Sequence, residues 1–244
     1  MEILHDKDIR EPLFEFLEDK YGKIRILEEK TMGKSRADVV MITPTDIFGI
    51  EIKSDADTYV RLASQVKDYD KYFDFNYVVV GTSHGEHIEE HVPKYWGIIT
   101  VEQIGSEQNG SAFDFYVLRM PAPNPKVKWK RKIEILWRPE LALIQELNNM
   151  PKYKAESKDF VRGKILERLE NGKIEEKTLK EQFSNILFER DYNAIASTLL
   201  EYKKAELTRK IEKENDPLKK LELEAQRERA EKNFGRKRKR YRRR

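Results

Sequence analysis

The apolar residues in the first half of the chain follow helical and strand-like spacings in turn. Apolar side chains recur every three or four residues ahead of Gly22, which predicts an amphipathic helix buried through Ile9, Leu13, Phe16 and Leu17. Short apolar runs then occur at residues 23–31, 36–42 and 47–53, and each is typical of a β-strand.

A second helical pattern and three more strand-like runs complete this half. Residues 55–75 repeat apolar positions at helical spacing, which predicts a helix that faces a core through Leu62, Val66, Tyr69 and Phe73. Runs rich in valine or aromatic residues at 76–84, 96–104 and 111–120 predict further strands. The order helix, strand, strand, strand, helix, strand predicts an α/β fold with a mixed sheet flanked by helices.

The second half of the chain changes character after the proline-rich stretch PAPNP. Its apolar residues recur at helical spacing among many charged ones, which predicts an all-α C-terminal extension. Residues 137–169 resemble a SAP-type DNA-binding helix pair, although a plain helical bundle explains the same pattern. These shifts predict a domain of residues 1–120, a Pro-rich and basic linker of 121–132, a helical region of 133–234 whose nucleic-acid binding is left open, and an Arg/Lys-rich tail of 235–244.

The predicted hairpin RADVVMITPTDIFGIEIKSD carries charged residues where strands usually carry apolar ones. A turn centred on Pro44 and Thr45 gives a register in which the numbers of facing residues sum to 89. In that register Asp38 lies opposite Glu51, and the alternation of side chains puts Lys53 on the same face. The other face then points into a core through Val39, Met41, Phe48, Ile50 and Ile52.

Two carboxylates opposed on neighbouring strands repel each other unless one is protonated or a cation lies between them. The Cβ atoms of such a pair lie about 4.5–5.5 Å apart. Mg²⁺, or Mn²⁺ in its place, satisfies this requirement with oxygen ligands, and Lys53 can reach a water or a phosphate beside the ion. The hairpin therefore predicts a metal site with an adjacent ammonium group. A salt bridge between Glu51 and Lys53 on an exposed strand is the simpler alternative.

Asp38 followed by Glu51-Ile52-Lys53, in the order helix, strand, strand, strand, helix, resembles the PD-(D/E)XK nuclease superfamily. The likeness extends over roughly residues 5–105 and is strongest to small bacterial and phage proteins of the MmcB-like DNA-repair group. It implies a restriction-endonuclease-like sheet and a Mg²⁺-dependent deoxyribonuclease. Ala37 stands where the motif has proline, a position that varies widely in the superfamily.

The resemblance also implies roles for the residues of the hairpin. Asp38 and Glu51 would ligate the metal, together with the backbone carbonyl of Ile52. Lys53 would orient or deprotonate the water that attacks the phosphodiester.

Two further catalytic positions follow from the same resemblance. Members of the superfamily often complete the site with a glutamate on the first helix, and we assign Glu11 to this role, with Glu15 one turn away as the alternative. Gln65 matches a glutamine that often faces substrate or metal-bound water, and Tyr69 lies one turn further along the same helix.

Basic residues are concentrated at the C-terminus. The net charge is +4, yet the last ten residues, GRKRKRYRRR, hold eight Lys or Arg and no acid, which leaves −4 for the rest. A shorter basic run, KVKWKRK, lies at residues 126–132. Such segments favour a polyanion, here DNA or else RNA, although a solvated tail that only aids solubility is the alternative. The predicted nucleic-acid-binding residues are Arg236, Lys237, Arg238, Lys239, Arg240, Arg242, Arg243 and Arg244.

The remaining composition narrows the function further. Cysteine is absent, and the first residues contain no apolar signal region, so we expect a cytoplasmic protein encoded by a bacterium or a phage. The sequence predicts a metal-dependent nuclease that hydrolyses DNA in repair, recombination or the processing of phages and mobile elements. The alternative is a non-catalytic nucleic-acid-binding or assembly protein on the same fold. A homodimer, and a protein partner for the C-terminal helices, stay open.

Overall fold

A computed structural model of the chain describes residues 6–54, 59–81, 85, 87–104, 112–191 and 195–237. The chain divides into two compact units, Met1–Lys132 and Ile133–Arg244. Within the described ranges, the first unit is built on a six-stranded sheet and the second is helical.

The strands of the sheet lie side by side in the order in which they occur in the chain. The first and second strands and the second and third strands pair antiparallel. The third and fourth and the fourth and fifth pair parallel, and the sixth pairs antiparallel with the fifth. Parallel neighbours require a crossover connection, and helices accordingly follow the third and fourth strands. The strands are β1 Arg25–Met32, β2 Ser35–Ile42, β3 Ile47–Lys53, β4 Phe75–Gly81, β5 Gly97–Ile104 and β6 Ala112–Arg119.

Helices cover both faces of the central strands, and β3 is therefore buried along its whole length. Helix α1 (Asp6–Tyr21) packs on one face and ends at Gly22, whose φ of 74° an L-residue rarely adopts. Helix α2 (Leu62–Tyr69), which a 3-10 turn at Tyr59–Arg61 precedes, packs on the other face. The core under α1 is formed by Ile9, Leu13, Leu17, Val39, Met41, Phe48, Ile50, Ile52, Tyr77, Val79, Ile99, Val101 and Phe115.

The predicted fold class and hairpin register are both confirmed. The first unit is an α/β domain with a mixed sheet flanked by helices, and helices follow it in the chain. Val39 pairs with Ile50 and Met41 with Phe48, so the numbers of facing residues sum to 89. The turn closes through a 2.9 Å hydrogen bond from the Thr43 N–H to the Asp46 carbonyl.

Residues 121–132, which we expected to form a linker, belong to the first unit. The side-chain amide of Asn124 donates to the carbonyls of Asp70 and Phe73, at 2.9 and 2.7 Å. Helix α4 (Trp129–Lys132) ends in a fully buried lysine, whose ammonium lies 2.6 Å from a carboxylate oxygen of Asp74. A proline-rich composition does not distinguish a free linker from a segment that packs through its polar side chains.

Between β4 and β5 lies the short helix α3 (Ile88–His91).

The second unit has its own buried core and its own buried ion pair. The guanidinium of Arg190 binds the carboxylate of Glu140 at 2.5 and 2.7 Å and stacks on the Trp137 ring. Ser157 is the N-cap of the helix that follows it, since its hydroxyl accepts from the Phe160 N–H. After a 3-10 turn at Ile133–Ile135, the described helices are α5 Arg138–Leu147, α6 Lys158–Glu170, α7 Glu176–Phe188, α8 Ile195–Lys213 and α9 Pro217–Lys237.

The basic tail is described only in part. The backbones of Arg236 and Lys237 continue α9, and the remaining predicted nucleic-acid-binding residues, 238–244, lie outside the described residues. Over the part of the chain that the structure describes, no helix combines the length and the apolar character that crossing a membrane requires.

Candidate metal-binding active site

The pairing of β2 with β3 brings Asp38 to the middle of the first unit. Asp38 comes directly before the paired residues Val39 and Ile50, and Glu51 follows them on the partner strand. The backbone N–H of Ile52 donates to the Asp38 carboxylate at 2.9 Å, so this side chain reaches across to β3. The hairpin thus places both predicted carboxylates on one side of the sheet, as the register required.

Glu51 is held by three side chains. Its carboxylate lies 2.7 Å from the ammonium of Lys53, accepts a 2.6 Å hydrogen bond from the Tyr69 hydroxyl, and accepts another from the Gln65 amide. Glu51 is 1% exposed and Lys53 is 4% exposed, which rules out the alternative of a salt bridge on an exposed strand. The carboxylate is therefore fixed in place inside the unit.

Tyr69 connects the two carboxylate-bearing strands. Besides donating to Glu51, its hydroxyl accepts from the backbone N–H of Asp38 at 3.2 Å. Burial, and then the negative charge of Glu51, raise the pKa of Tyr69 well above its ordinary value, so the hydroxyl keeps its proton. Tyr69 thus acts as a neutral donor that orients Glu51.

A glycine allows α2 to approach β3 closely enough for these contacts. A Cβ atom on Gly49 would lie 2.1 Å from Cδ2 of Phe73 and 2.7 Å from Cδ1 of Tyr69. No real Cβ contact is that short, so only glycine fits under the aromatic rings at this position. The packing of the Phe73 and Tyr69 rings directly on the backbone at Gly49 therefore sets how close Tyr69 and Gln65 lie to β3.

Asp38 is the carboxylate whose protonation the site perturbs most clearly. Burial, and then the charge of Glu51, together raise the pKa of Asp38 to about 7, because the Ile52 N–H and Lys53 offset only part of their effect. A carboxyl group with such a pKa is only partly ionised near neutral pH. A cation between Asp38 and Glu51 would relieve this repulsion.

The oxygen atoms present fit a hard divalent cation. Oε1 of Gln65 is buried without a hydrogen-bond partner, beside the amide nitrogen that binds Glu51. Mg²⁺ is usually held by one or two carboxylates and otherwise by water and substrate phosphate, which matches Asp38 and Glu51. Over the described ranges, no group of three acidic or histidine side chains is placed to hold a metal, so the protein supplies at most a partial ligand set there.

The structure does not bring Glu11 to this site. Glu11 and Glu15 are both exposed, and they lie on the side of α1 away from the buried stripe of Ile9 and Leu13. Successive helical residues turn by about 100°, which places Glu11 almost opposite that stripe. The assignment of a catalytic role to Glu11 is therefore corrected.

Asp6 is the acidic residue of α1 whose charge acts on the site. Its charge contributes to the raised pKa of Asp38, and Arg10 binds its carboxylate with 3.0 and 2.7 Å hydrogen bonds. The sequence contained a signal for this, because Asp6 lies three residues before Ile9 and so on the buried side of the helix. Choosing the acidic residue of the first helix by the buried side of that helix would have given Asp6 instead of Glu11.

The sequence matches a family model described as bacteriophage P4 protein cII, over residues 2–231. No curated protein and no solved structure matches the chain significantly.

Proposed function

The chain belongs to the bacteriophage P4 protein cII family, and we propose that it is a metal-dependent nuclease that hydrolyses phosphodiester bonds in DNA. The observation that supports this most is the pair of Asp38, which is partly buried, and Glu51, which is fully buried, held on one face with a buried lysine beside them. A buried like-charged pair costs stability, and a folded protein tolerates such a pair mainly at sites of function.

Each side chain of the site then has a role of its own. Asp38 and Glu51 would hold Mg²⁺ or Mn²⁺ with the backbone carbonyl of Ile52, and a bound ion would activate water and neutralise charge on the scissile phosphate. The ammonium of Lys53 stabilises the negative charge that grows on the phosphate oxygens. Oε1 of Gln65, which has no hydrogen-bond partner among the described residues, can accept a hydrogen bond from the attacking water and so orient it.

Substrate binding is assigned to the basic segments. The arginines and lysines of residues 236–244 would contact phosphates without reading sequence, which gives affinity and a steep dependence on salt. Such a protein would act in the cytoplasm, where phage DNA is replicated, repaired and processed.

Cleavage of supercoiled plasmid in the presence of Mg²⁺ or Mn²⁺ tests this proposal. We expect wild-type protein to cut. We expect Asp38→Asn, Glu51→Gln and Lys53→Gln each to lower the rate by about 10²-fold or more, because each removes a charge that holds the ion or stabilises the transition state. Glu18→Gln, which changes an exposed carboxylate of α1, is the matched control and should cut like wild type. Circular dichroism melts confirm that each variant is folded. A folded Glu51→Gln protein with wild-type cleavage would refute the assignment.

One observation favours the alternative of a non-catalytic binding or assembly protein. The Glu51 carboxylate already accepts from Lys53, Gln65 and Tyr69, and three donors satisfy much of its hydrogen-bonding capacity. A thermal shift assay separates the two functions, because an ion that binds only the folded state raises Tm. Stabilisation of wild type but not of Asp38→Asn by Mn²⁺ supports the nuclease, and no response in either supports the alternative.

A further inference from the structure

Two stretches of the first unit together form one basic surface. The outward side of α2 and the turns at its two ends carry Arg61, Lys67 and Lys71, and residues 126–130 add three more lysines. Of these side chains, all are exposed except Lys71, which is partly exposed and pairs with Asp68 at 2.9 Å. We call this surface the basic face, and it consists of Arg61, Lys67, Lys71, Lys126, Lys128 and Lys130.

Backbone contacts join the two stretches. The N–H of Lys128 donates to the carbonyl of Lys71 at 3.1 Å, so residues 126–130 begin where α2 ends. The Asn124 amide and the buried Lys132–Asp74 pair fix this segment at either end. The basic face is therefore a fixed part of the first unit. Lys126 lies 3.3 Å from the buried Asp70 carboxylate and helps to anchor it, whereas the side chains of Lys67, Lys128 and Lys130 are exposed.

The basic face stands out against an acidic background. Residues 1–125 carry 14 basic and 23 acidic side chains, a net charge of −9, whereas residues 126–132 carry five basic side chains and no acid. The exposed side of α1, on the opposite face of the sheet, carries Glu11, Glu15 and Glu18. A polyanion would be repelled from the α1 side and attracted to the α2 side.

The basic face lies on the same side of the sheet as the candidate active site. The inner side of α2 supplies Gln65 and Tyr69 to Glu51, while its outer side supplies Lys67. Between Arg61 and Lys67 the outer residues are Ala63 and Ser64, which are small enough for a phosphate backbone to approach closely. The helical residues of α2, Leu62–Tyr69, rise by about 11 Å, at about 1.5 Å per residue.

We infer that the basic face binds the sugar-phosphate backbone of duplex DNA and leads it along α2 to the Asp38–Glu51 site. This inference rests on the proposed nuclease function and names the surface through which that function would engage its substrate. A helical rise of about 11 Å corresponds to about three base pairs at 3.4 Å each, so the α2 part of the basic face alone spans more than one phosphate. The basic face is distinct from the tail, because it belongs to the folded first unit.

The salt dependence of DNA binding tests this inference on the full-length protein. Fluorescence anisotropy with a short labelled duplex in EDTA measures Kd over a series of KCl concentrations without any cleavage. The variant Lys67→Gln/Lys128→Gln removes two exposed charges of the basic face, and Lys20→Gln/Lys23→Gln removes two at the end of α1 as the matched control. We expect the first variant to lower the slope of log Kd against log salt by about 1.8, at about 0.9 per phosphate contact, and the control to leave it unchanged.

The outcomes separate this inference from the nuclease proposal. Equal slopes for wild type and Lys67→Gln/Lys128→Gln would overturn the basic face, even if plasmid cleavage proceeds. A reduced slope together with absent cleavage would support the basic face as a binding surface and refute the nuclease. A reduction with a single-stranded probe but none with the duplex would overturn the assignment to duplex DNA.

Discussion

Asp38 and Glu51 lie side by side, but their charges are balanced in different ways. Glu51 has a lysine ammonium 2.7 Å away, whereas the close donor to the Asp38 carboxylate among the described residues is the backbone N–H of Ile52. Burial, and then the charge of Glu51, raise the pKa of Asp38 to about 7 against an ordinary value of 3.8. The folded protein therefore favours the protonated form of Asp38, which makes the stability of the chain depend on pH.

The sign of this dependence follows from the raised pKa. Stability from the protonated Asp38 is fully present below about pH 4 and is lost as the pH rises through about 7. We expect the free energy of unfolding to fall by about 1–3 kcal/mol between about pH 5 and pH 8, and we expect Asp38→Asn to abolish that part of the decrease, because asparagine stays neutral. Urea denaturation at a series of pH values measures it. Equal pH profiles for the two proteins would contradict the assignment.

The residues of the site differed in how well the sequence predicted them. A two-residue turn and the two-residue period of a strand fix which side chains face each other, so Asp38, Glu51 and Lys53 followed from the hairpin alone. Glu11 was wrong because the assignment ignored which side of α1 is buried. The bond between Tyr69 and Glu51 depends on how deeply a helix packs, and no local pattern encodes that distance.

At the scale of elements, the contact between α2 and β3 controls the geometry of the site. Gly49 lies directly beneath Phe73 and Tyr69, and the helix bearing Gln65 and Tyr69 packs over it. The fold class could be predicted from apolar periodicity, since each strand and helix buries one face or both. The placement of residues 121–132 could not, because it depends on buried partners, Asp70 and Asp74, far away in sequence.

Substituting Gly49 tests whether the contact between α2 and β3 depends on a glycine at this position. We expect Gly49→Ala to destabilise the protein by about 1–3 kcal/mol, because the new methyl group overlaps the Phe73 ring and forces α2 away from β3. Gly163→Ala in α6 is the control, since a Cβ there meets no atom within 4 Å, and alanine should be neutral or stabilising by about 0.5–1 kcal/mol. Urea denaturation measures both. A neutral Gly49→Ala would show that α2 adjusts without cost.

At the scale of the whole molecule, charge is distributed unevenly along the chain. The tail carries eight basic residues in its last ten, and the first unit carries the six basic residues of the basic face. Both are suited to phosphate contacts, which add to affinity without reading sequence. The family match covers residues 2–231 and so includes both units while ending before the tail's basic residues.

Removing the tail should therefore change affinity more than specificity. We expect deletion of residues 236–244 to lower the salt slope of DNA binding by up to about 7, at about 0.9 for each of the eight charges. A variant with the same tail residues in scrambled order should bind like wild type, because such contacts depend on charge and not on sequence. Anisotropy titrations of the three proteins measure this. An unchanged slope after deletion would show that the tail makes no phosphate contacts.

The anchoring of residues 121–132 determines where the chain can be truncated without loss of stability. A fragment that stops at residue 120 would strip Lys126 from the buried carboxylate of Asp70 and Lys132 from that of Asp74, and would remove Asn124 from the carbonyls it caps. Breaking the buried Lys132–Asp74 pair costs about 3–5 kcal/mol, which approaches the entire stability of a domain, whereas Asp70 keeps the Tyr95 hydroxyl and the Trp96 N–H as donors. Recombinant production of the sheet unit by itself should therefore retain every residue through Lys132, even though its last strand is complete at Arg119.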